Sequence, residues 1–490
     1  MIQRLMNTLY YGDNLEVLKR HIKDETVDLI YLDPPFNSKA DYNILYNEPS
    51  GMPSKAQITA FEDTWHWTEE TENTLQEIIS NSPPEVIEMI LALKKFIGLN
   101  DMMAYLVMMC IRLLELKRVL KPAGSIYLHC DPTASHYLKI ILDTIFGKKN
   151  FRNEVVWCYK RYTAAANRYQ RLHDIILFYS KSNKMKFNQL RKEYGGKSGK
   201  LDSHYKQAED GRWYRWQKRK GKEPYKIYLS EGVRLGDWWD IPIINASAKE
   251  RLGYPTQKPE ALLDRIIKVS SNEGDVVLDP FCGCGTAVTV AENLKRNWIG
   301  IDITHLAINL IKRRMKDTHN IAPKKDYKIV GEPEDLSGAI ELASHNRFQF
   351  QWWALSLIDC SKPYKEKKKG ADTGIDGYIY HGEQREVKKV IIQVKSGKVG
   401  AKDIRELCHV VDREEATIGV FITLEKPTKP MVKEAVAKGF YKPKETRRKY
   451  LKIQILTIED ILNGKQPDMP LPISPFRKAQ EADKQETIDF

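Results

Sequence analysis

The sequence predicts an α/β protein: an open, mainly parallel sheet with helices on its faces, followed by a smaller α/β unit. Three observations predict it. Val27-Asp28-Leu29-Ile30-Tyr31-Leu32 is a near-continuous apolar run, the pattern of a strand buried on both faces. Residues 275–302 read strand, glycine turn, helix, strand, which is a βαβ unit. Strands and a helix recur from Tyr378 to Thr423, after a polar stretch that carries Pro323 and Pro333.

The 490 residues suffice for two or three domains, each with its own core. No apolar run reaches the roughly 18 residues of a membrane span. The Met1–Arg4 opening lacks the apolar run of a leader, and the seven cysteines form no disulfide-like or zinc-like framework. A reducing, cytoplasmic setting is expected. The net charge is +13, and residues 151–230 hold 20 Lys+Arg against 7 Asp+Glu, a surplus equal to that of the whole chain. Such a local surplus marks a surface for a polyanion. Rings alternate with the charges in Arg212-Trp213-Tyr214-Arg215-Trp216-Gln217-Lys218-Arg219. Basic groups bind phosphate and rings stack on bases, so Arg212, Arg215, Trp216, Lys218 and Arg219 are candidate nucleic-acid contacts.

The elements follow in order. Tyr10-Tyr11-Gly12-Asp13-Asn14 ends a short strand and opens the helix Leu15–His21, with Asp13 placed to cap it. The Val27–Leu32 strand stops at Asp33-Pro34-Pro35-Phe36, because two prolines bar both ladder and helix. Residues 37–100 are polar and proline-bearing, and read as a long loop over a site. Asp101–Leu120 is an apolar helix closed by Lys121-Pro122-Ala123-Gly124. Ser125–Leu128 is a strand, and Asp131 caps the helix Thr133–Phe146. Val155–Tyr159 and Ile175–Tyr179 are strands, and the basic segment to Asp240 reads as an insertion. Ala261–Val269 is an amphipathic helix. Then come the strand ending at Asp279, the turn Phe281-Cys282-Gly283-Cys284-Gly285-Thr286, the helix Ala287–Leu294 and the strand ending at Asp302.

These positions point to chemistry. In open α/β sheets ligands bind at the carboxyl edge of the strands, where Asp33 and the glycine turn both fall. A rigid carboxylate beside an aromatic ring suits a planar, amine-bearing ring. The glycines allow close approach of a ligand to the backbone. Asp302 is placed to accept both hydroxyls of a ribose, and Asp279 an amino group. The turn lacks the G-x-G-x-x-G cradle for pyrophosphate, which favours an adenosyl ligand without phosphates.

At this point the residues resemble a known family. Asp33-Pro34-Pro35-Phe36 resembles the catalytic motif of amino-group DNA methyltransferases. Phe281-Cys282-Gly283-Cys284-Gly285-Thr286 resembles their S-adenosylmethionine loop, and Thr256-Gln257-Lys258-Pro259 the segment that closes over the methionine part. The order of catalytic motif, basic insertion and cofactor loop is similar to the beta class, in which the insertion recognises the target. The resemblance implies a Rossmann-like methyltransferase fold of permuted motif order over residues 1–320, with 151–240 as the target-recognition insertion. It implies that Asp33 and the Pro34 carbonyl take hydrogen bonds from the amine of a flipped base, that Pro35 holds the turn, and that Phe36 stacks on the base. Asp13, Lys258, Asp279, Phe281, Gly283, Gly285, Thr286 and Asp302 would contact the cofactor. Asp at the first motif position favours adenine N6 over cytosine N4. Double-stranded DNA is the expected partner, a homodimer is compatible with this reading, and no membrane is expected. The setting it implies is restriction-modification or DNA defence. A rival within enzymes is RNA or protein amine methylation. A rival of another class is a DNA-binding protein without chemistry.

Residues 321–339 read as a linker, 340–465 as the second domain and 466–490 as a tail. Gly374-Ile375-Asp376-Gly377 and Gln393-Val394-Lys395-Ser396-Gly397 lie on two adjacent strands. Asp376 and Gln393 are oxygen ligands suited to a hard ion such as Mg2+, and Lys395 can orient water or meet phosphate charge. The pair resembles the Mrr-like branch of the PD-(D/E)xK nucleases. Where that branch has a first-helix Glu, this chain has Phe348-Gln349-Phe350-Gln351, and Glu341 is the nearest substitute. The resemblance therefore implies either a metal-dependent nuclease or a degenerate, DNA-binding domain.

Overall fold

The computed structural model of the protein describes residues 7–35, 41–47, 53–62, 66–160, 167, 169–192, 205–219, 221–245, 247–252, 254, 256–359, 361–363, 374–383, 386–444 and 448–473. Among the described residues nine strands form one sheet. Their order is Trp238–Asp240, Phe151–Cys158, His173–Ser180, Leu120–Cys130, Val27–Leu32, Val276–Asp279, Asn297–Asp302, Thr8–Tyr11, Lys328–Val330. From Leu120–Cys130 to Lys328–Val330 the strands are parallel, while His173–Ser180 is antiparallel to both neighbours.

Val27–Leu32 lies at the centre, buried throughout. Leu29 and Ile30 pair with Val277 and Leu278 on one side, and Leu32 pairs with Leu128 on the other. This register brings the ends of three strands together although their sequences are remote. Asp33, His129 and the glycine turn after Asp279 thus share one sheet edge. Helices cover both faces. Asn14–His21, Asp101–Val119 and Ser135–Phe146 pack Leu18, Leu113 and Leu138 with Ile30 and Leu32. Glu260–Ser270, Thr286–Asn293 and His305–His319 pack Ile266, Val288 and Ile311 with Leu29 and Val277. Opposite faces of a strand alternate, so one strand serves both layers. Asp28 is the polar exception. Burial works to raise its carboxyl, but Lys121 Nζ at 2.6 Å, Lys186 Nζ at 2.9 Å and the Val276 N–H at 3.0 Å overcome this and hold it below the usual range.

The structure corrects several boundaries read from the sequence. Residues 37–100 are not one loop, because Glu69–Asn81 and Pro84–Ile97 are helices. The Thr68 hydroxyl caps the first, and Pro84 stands in the first turn of the second, where a missing N–H costs nothing. Leu75, Ile78, Val86, Ile90 and Leu93 join the main core at helical spacing. The insertion is shorter than 151–240, since Phe151–Cys158, His173–Ser180 and Trp238–Asp240 belong to the sheet. The 321–339 stretch is not simply a linker. Lys328–Val330 adds the edge strand beside Thr8–Tyr11, and Leu336–His345 is a helix capped by Asp335. The stretch after 465 is not all tail, because Pro472–Ile473 pairs with Tyr380 and His381.

The second sheet orders Lys362–Pro363, Gly377–Glu383, Glu386–Lys395, Ile418–Thr423 and Ile453–Thr457, with Pro472–Ile473 paired to Gly377–Glu383. The helix Arg347–Ser356 packs Phe350 and Trp353 on one face. Ala401–Arg413 packs Ile404, Leu407 and Val411 on the other.

Candidate active site

Asp33 is held by the strand before it and by the buried Pro34 after it. Its Oδ2 accepts a hydrogen bond from Lys258 Nζ. Its Oδ1 is buried and has no hydrogen-bond partner among the described residues. An acceptor left bare in this way costs on the order of 1–3 kcal/mol of desolvation, and a donor from a ligand would recover it. Phe36 lies outside the described residues.

A cavity of about 230 Å3 opens beside Asp33. Asp13, Lys258, Asp279, Phe281, Gly283, Thr286 and Asp302 line it, together with Asp33 and Pro35. Gly285 lies buried behind that wall. It adopts φ +73°, and a Cβ there would meet Ile311 Cγ1 at 2.7 Å. Gly283 adopts φ +48° under the ring of Tyr254, and its N–H bonds Asp302 Oδ2 at 2.9 Å. Only glycine takes both conformations without strain.

The acids differ in state. Burial pushes Asp302 up to about 6, against donors that include Gly283 N–H on Oδ2, Thr304 N–H and Oγ1 on Oδ1, and the Ile303 N–H. These bonds engage both oxygens, so the carboxylate is less open to two ribose hydroxyls than the sequence suggested. Burial, with the charges of Asp33 and Asp302, pushes Asp279 well above the carboxylate range, although the Phe281 N–H opposes this. Asp13 caps its helix through Leu15 N–H at 2.8 Å and takes Arg112 Nη2 at 2.7 Å on its other oxygen. Lys258, expected on a cofactor, lines the cavity while bonded to Asp33.

Sequence reasoning missed several residues that hold this arrangement. Arg112 interrupts the apolar run from Met102 to Leu114 and binds both Asp13 and Asn14. Arg314 is 1% exposed, and its guanidinium bonds the Cys284 carbonyl at 3.1 Å, Thr286 Oγ1 at 3.2 Å and Glu260 Oε1 at 2.6 Å. It thereby ties the glycine turn to the helix that follows Lys258. Tyr254 and Cys284 form a small apolar cluster against which Trp352 of the second unit packs. His129, buried at the end of an apolar strand, was the polar signal most open to detection.

The basic segment forms a hairpin of Trp213–Arg219 and Lys222–Tyr228. Arg215 and Lys218 are exposed, as is Trp216 at 52%. Lys226 lies 4.4 Å from the Tyr214 ring centre. Arg212 pairs with Asp210 at 2.7 Å and lies over Tyr228, so part of its charge is already answered. Arg219 is in the strand opposite Lys222.

The second unit's residues are arranged differently from the metal site expected. Asp376 Oδ1 accepts from Gln351 Nε2, and Oδ2 accepts from the Val394 N–H at 2.7 Å. Gln393 is 1% exposed, with no hydrogen-bond partner for its Oε1 among the described residues. Lys395 is half-buried at the strand end. Glu341 is exposed on a separate helix that ends at Asn346, so it does not replace the missing acid; Gln351 occupies that place. Among the described residues no group of three or more His, Cys, Asp or Glu side chains is placed to hold a metal. Both Asp376 oxygens are thus engaged by protein donors in this structure, while Gln393 Oε1 is not.

The cavity does fit an adenosyl group. It offers acceptors along the glycine turn, an aromatic residue in Phe281, and two cations already paired with acids. Comparisons with known proteins agree with the motifs. A family model described as DNA methylase matches residues 27–313. A model described as NACHT-associated inactive restriction endonuclease 1 matches residues 358–463. The chain is similar to Type II methyltransferase M.BamHI of Bacillus amyloliquefaciens, with 30% identity over 67% of this chain and 60% of that protein. It is similar to Type II methyltransferase M.HpaI of Haemophilus parainfluenzae, with 33% identity over 46% and 64%. DNA adenine methyltransferase YhdJ of Escherichia coli K12 is 28% identical over 66% of this chain and 87% of its own. The chain thus spans about three fifths of the first two relatives. Among the described residues no helix is long and apolar enough to cross a membrane.

Proposed function

The chain belongs to the N6/N4 DNA methylase family, and from that premise we propose that it transfers a methyl group from S-adenosylmethionine to the exocyclic amine of a base in double-stranded DNA. The bare, buried Oδ1 of Asp33, a residue that lines the same cavity as the glycine turn, carries this reading. An exocyclic amine is a weak nucleophile because its lone pair is delocalised into the ring. A hydrogen bond from the amine to Asp33 Oδ1 localises that lone pair on nitrogen. Bound S-adenosylmethionine supplies an electrophilic methyl on a sulfonium. Asp279, Asp302 and the Gly283 backbone line the place for its adenosyl part. The base must leave the stack to reach Asp33. Catalysis then rests on positioning and electrostatics, without a covalent enzyme intermediate.

Adenine N6 is the proposed target. Asp at the motif's first position and the name of the Escherichia coli relative support it; cytosine N4 is the alternative. A restriction-modification setting is supported by the relatives named as Type II methyltransferases. The second unit is proposed as a non-cleaving accessory, because Gln351 and the Val394 N–H occupy the carboxylate a metal would need. Nucleoside mass spectrometry of DNA from cells expressing the chain tests the main reading. N6-methyladenine that disappears with Asp33→Ala supports it, N4-methylcytosine selects the alternative, and neither product overturns it.

A further inference from the structure

Behind Asp33 lies a buried chain of polar groups. Parallel pairing of Leu32 with Leu128 sets His129 beside Asp33. His129 is fully buried. Its Nδ1 lies 3.0 Å from Tyr31 Oη and 3.9 Å from Asp33 Oδ1. Its Nε2 lies 3.3 Å from Asp174 Oδ2, and the other oxygen of Asp174 accepts from Tyr159 Oη at 3.2 Å.

The network assigns the protons. Burial, with the charges of Asp33, Asp279 and Asp174, pushes the Tyr31 phenol far up, so it stays protonated and donates to Nδ1. Burial works to raise Asp174, but the hydrogen bond and charge of His129, with the Lys258 ammonium, hold it below its usual range. Asp174 is therefore an acceptor, and Nε2 carries the hydrogen that it receives. That puts the His129 hydrogen on Nε2 and leaves Nδ1, 3.9 Å from the bare oxygen of Asp33, as the acceptor of the Tyr31 hydroxyl.

We propose that His129, backed by Asp174, is a positioning residue that receives through Asp33 the proton shed by the methylated amine. The inference rests on the reading of Asp33 given above. As the N–CH3 bond forms and the S–CH3 bond breaks, sulfur keeps the bonding pair and nitrogen becomes a cation. The N–H bond then breaks toward Asp33 Oδ1, and its electron pair returns to nitrogen. Lys258 keeps its hydrogen bond to Oδ2. The Tyr31 hydroxyl then turns away from Nδ1, protonated Oδ1 donates to the lone pair so released, and its O–H bond breaks as the proton passes to Nδ1. The imidazolium that results is stabilised by Asp174. The step ends with Asp33 again ionised and able to meet a second amine. Among the described residues, ionisable groups facing His129 include Tyr31 and Asp33 from the central strand's end and Asp174 from the neighbouring strand; the next residue in the chain is Cys130, whose thiol is pushed up by burial. Tyr159 and Lys258 act on His129 through Asp174 and Asp33. The Trp157 ring packs against it at close to a right angle, with 5.5 Å between ring centres.

The test is single-turnover methylation of unmethylated plasmid DNA with tritiated S-adenosylmethionine across pH 5.5–9, a range set by the ordinary span of imidazole titration. His129→Gln is expected to slow transfer roughly 10- to 100-fold, to move the acid limb of the profile to lower pH and to leave S-adenosylmethionine affinity unchanged. Asp174→Asn is expected to move the limb in the same direction, and it carries the test if His129→Gln does not fold. A rate unchanged at every pH, or reduced by one factor at every pH, overturns the proposal. If the wild-type chain methylates no DNA, the reading of Asp33 fails separately. The network is then judged by nuclear magnetic resonance of 15N-labelled histidine. The His129 titration must move in Asp33→Asn, and an unmoved midpoint overturns it.

Discussion

Lys258 Nζ donates to Asp33 Oδ2 across 225 positions of sequence, so the segment before the Glu260–Ser270 helix closes on the acid that ends the central strand. The pair fixes the carboxylate with one oxygen engaged and the other without a hydrogen-bond partner among the described residues. It also links the proposed cofactor wall to the proposed target site.

That link makes the two residues separable by experiment. Asp33→Ala is expected to reduce single-turnover methylation by about 100-fold or more and to leave S-adenosylmethionine affinity within a few-fold. Lys258→Met is expected to reduce both, because Lys258 also lines the cavity. Calorimetry beside a methylation assay measures the two effects. Methylation by Asp33→Ala at the wild-type rate would remove Asp33 from the chemistry.

Asp302 gives a pH dependence with a defined sign. Burial raises its carboxyl to about 6, so it is ionised above that pH and neutral below it. An ionised acceptor holds a ribose hydroxyl better than a neutral acid does. Affinity for S-adenosylmethionine is therefore expected to be full near pH 7.5 and to fall as pH drops through 6, by up to about tenfold per unit. Asp302→Ala should weaken binding at neutral pH by about 1.5–3 kcal/mol and remove the dependence. A dissociation constant flat from pH 5 to 8 in the wild-type chain would exclude Asp302 as the ribose partner.

The parts legible in the sequence were those encoded locally. The Val27–Leu32 strand announces itself by apolar continuity, and Gly283 and Gly285 by a turn that needs positive φ. What stayed hidden depends on register between remote strands. Nothing local places His129 beside Asp33 or Arg314 against the Cys284 carbonyl. The helices at 69–81 and 84–97 were obscured for a different reason. Pro83 and Pro84 signal a break wherever they fall, yet Pro84 stands where a helix begins. In the second unit Gln351 was read as a missing acid, whereas its amide is the partner that Asp376 uses.

The basic hairpin predicts a salt response. Each phosphate contact releases counterions, so DNA affinity should fall steeply with salt. Arg215→Glu with Lys218→Glu should flatten the slope and slow methylation, because both side chains are exposed. Arg212→Glu alone should have a smaller effect, since Asp210 already pairs with it. Fluorescence anisotropy with a labelled duplex at several salt concentrations measures each slope. An unchanged slope in the double variant would place the DNA surface elsewhere.

The second unit tests whether a nuclease-like sheet edge can persist without a metal. Phosphodiester cleavage by a hard divalent ion needs oxygen ligands that are free to coordinate. Here Asp376 gives one oxygen to the Gln351 amide and the other to the Val394 N–H, and the nearby Gln393 adds no negative charge. Removing such an acceptor strands the buried Val394 N–H, which costs on the order of 1–3 kcal/mol, and leaves the part-buried Gln351 amide without that partner. Asp376→Ala is therefore expected to lower the thermal stability of this unit and to leave DNA methylation in place. The wild-type chain should leave unmethylated and premethylated plasmid intact in magnesium or manganese, and calorimetry should detect no ion binding that depends on Asp376. Gln351→Glu tests the cause, since it replaces the amide donor with a second carboxylate beside Asp376. Ion binding should then appear or strengthen, with a loss of stability when no ion is present. Plasmid cleavage by the wild-type chain that vanishes in Lys395→Ala would instead establish a working nuclease, and Asp376 would have to exchange its protein donors for metal when DNA binds.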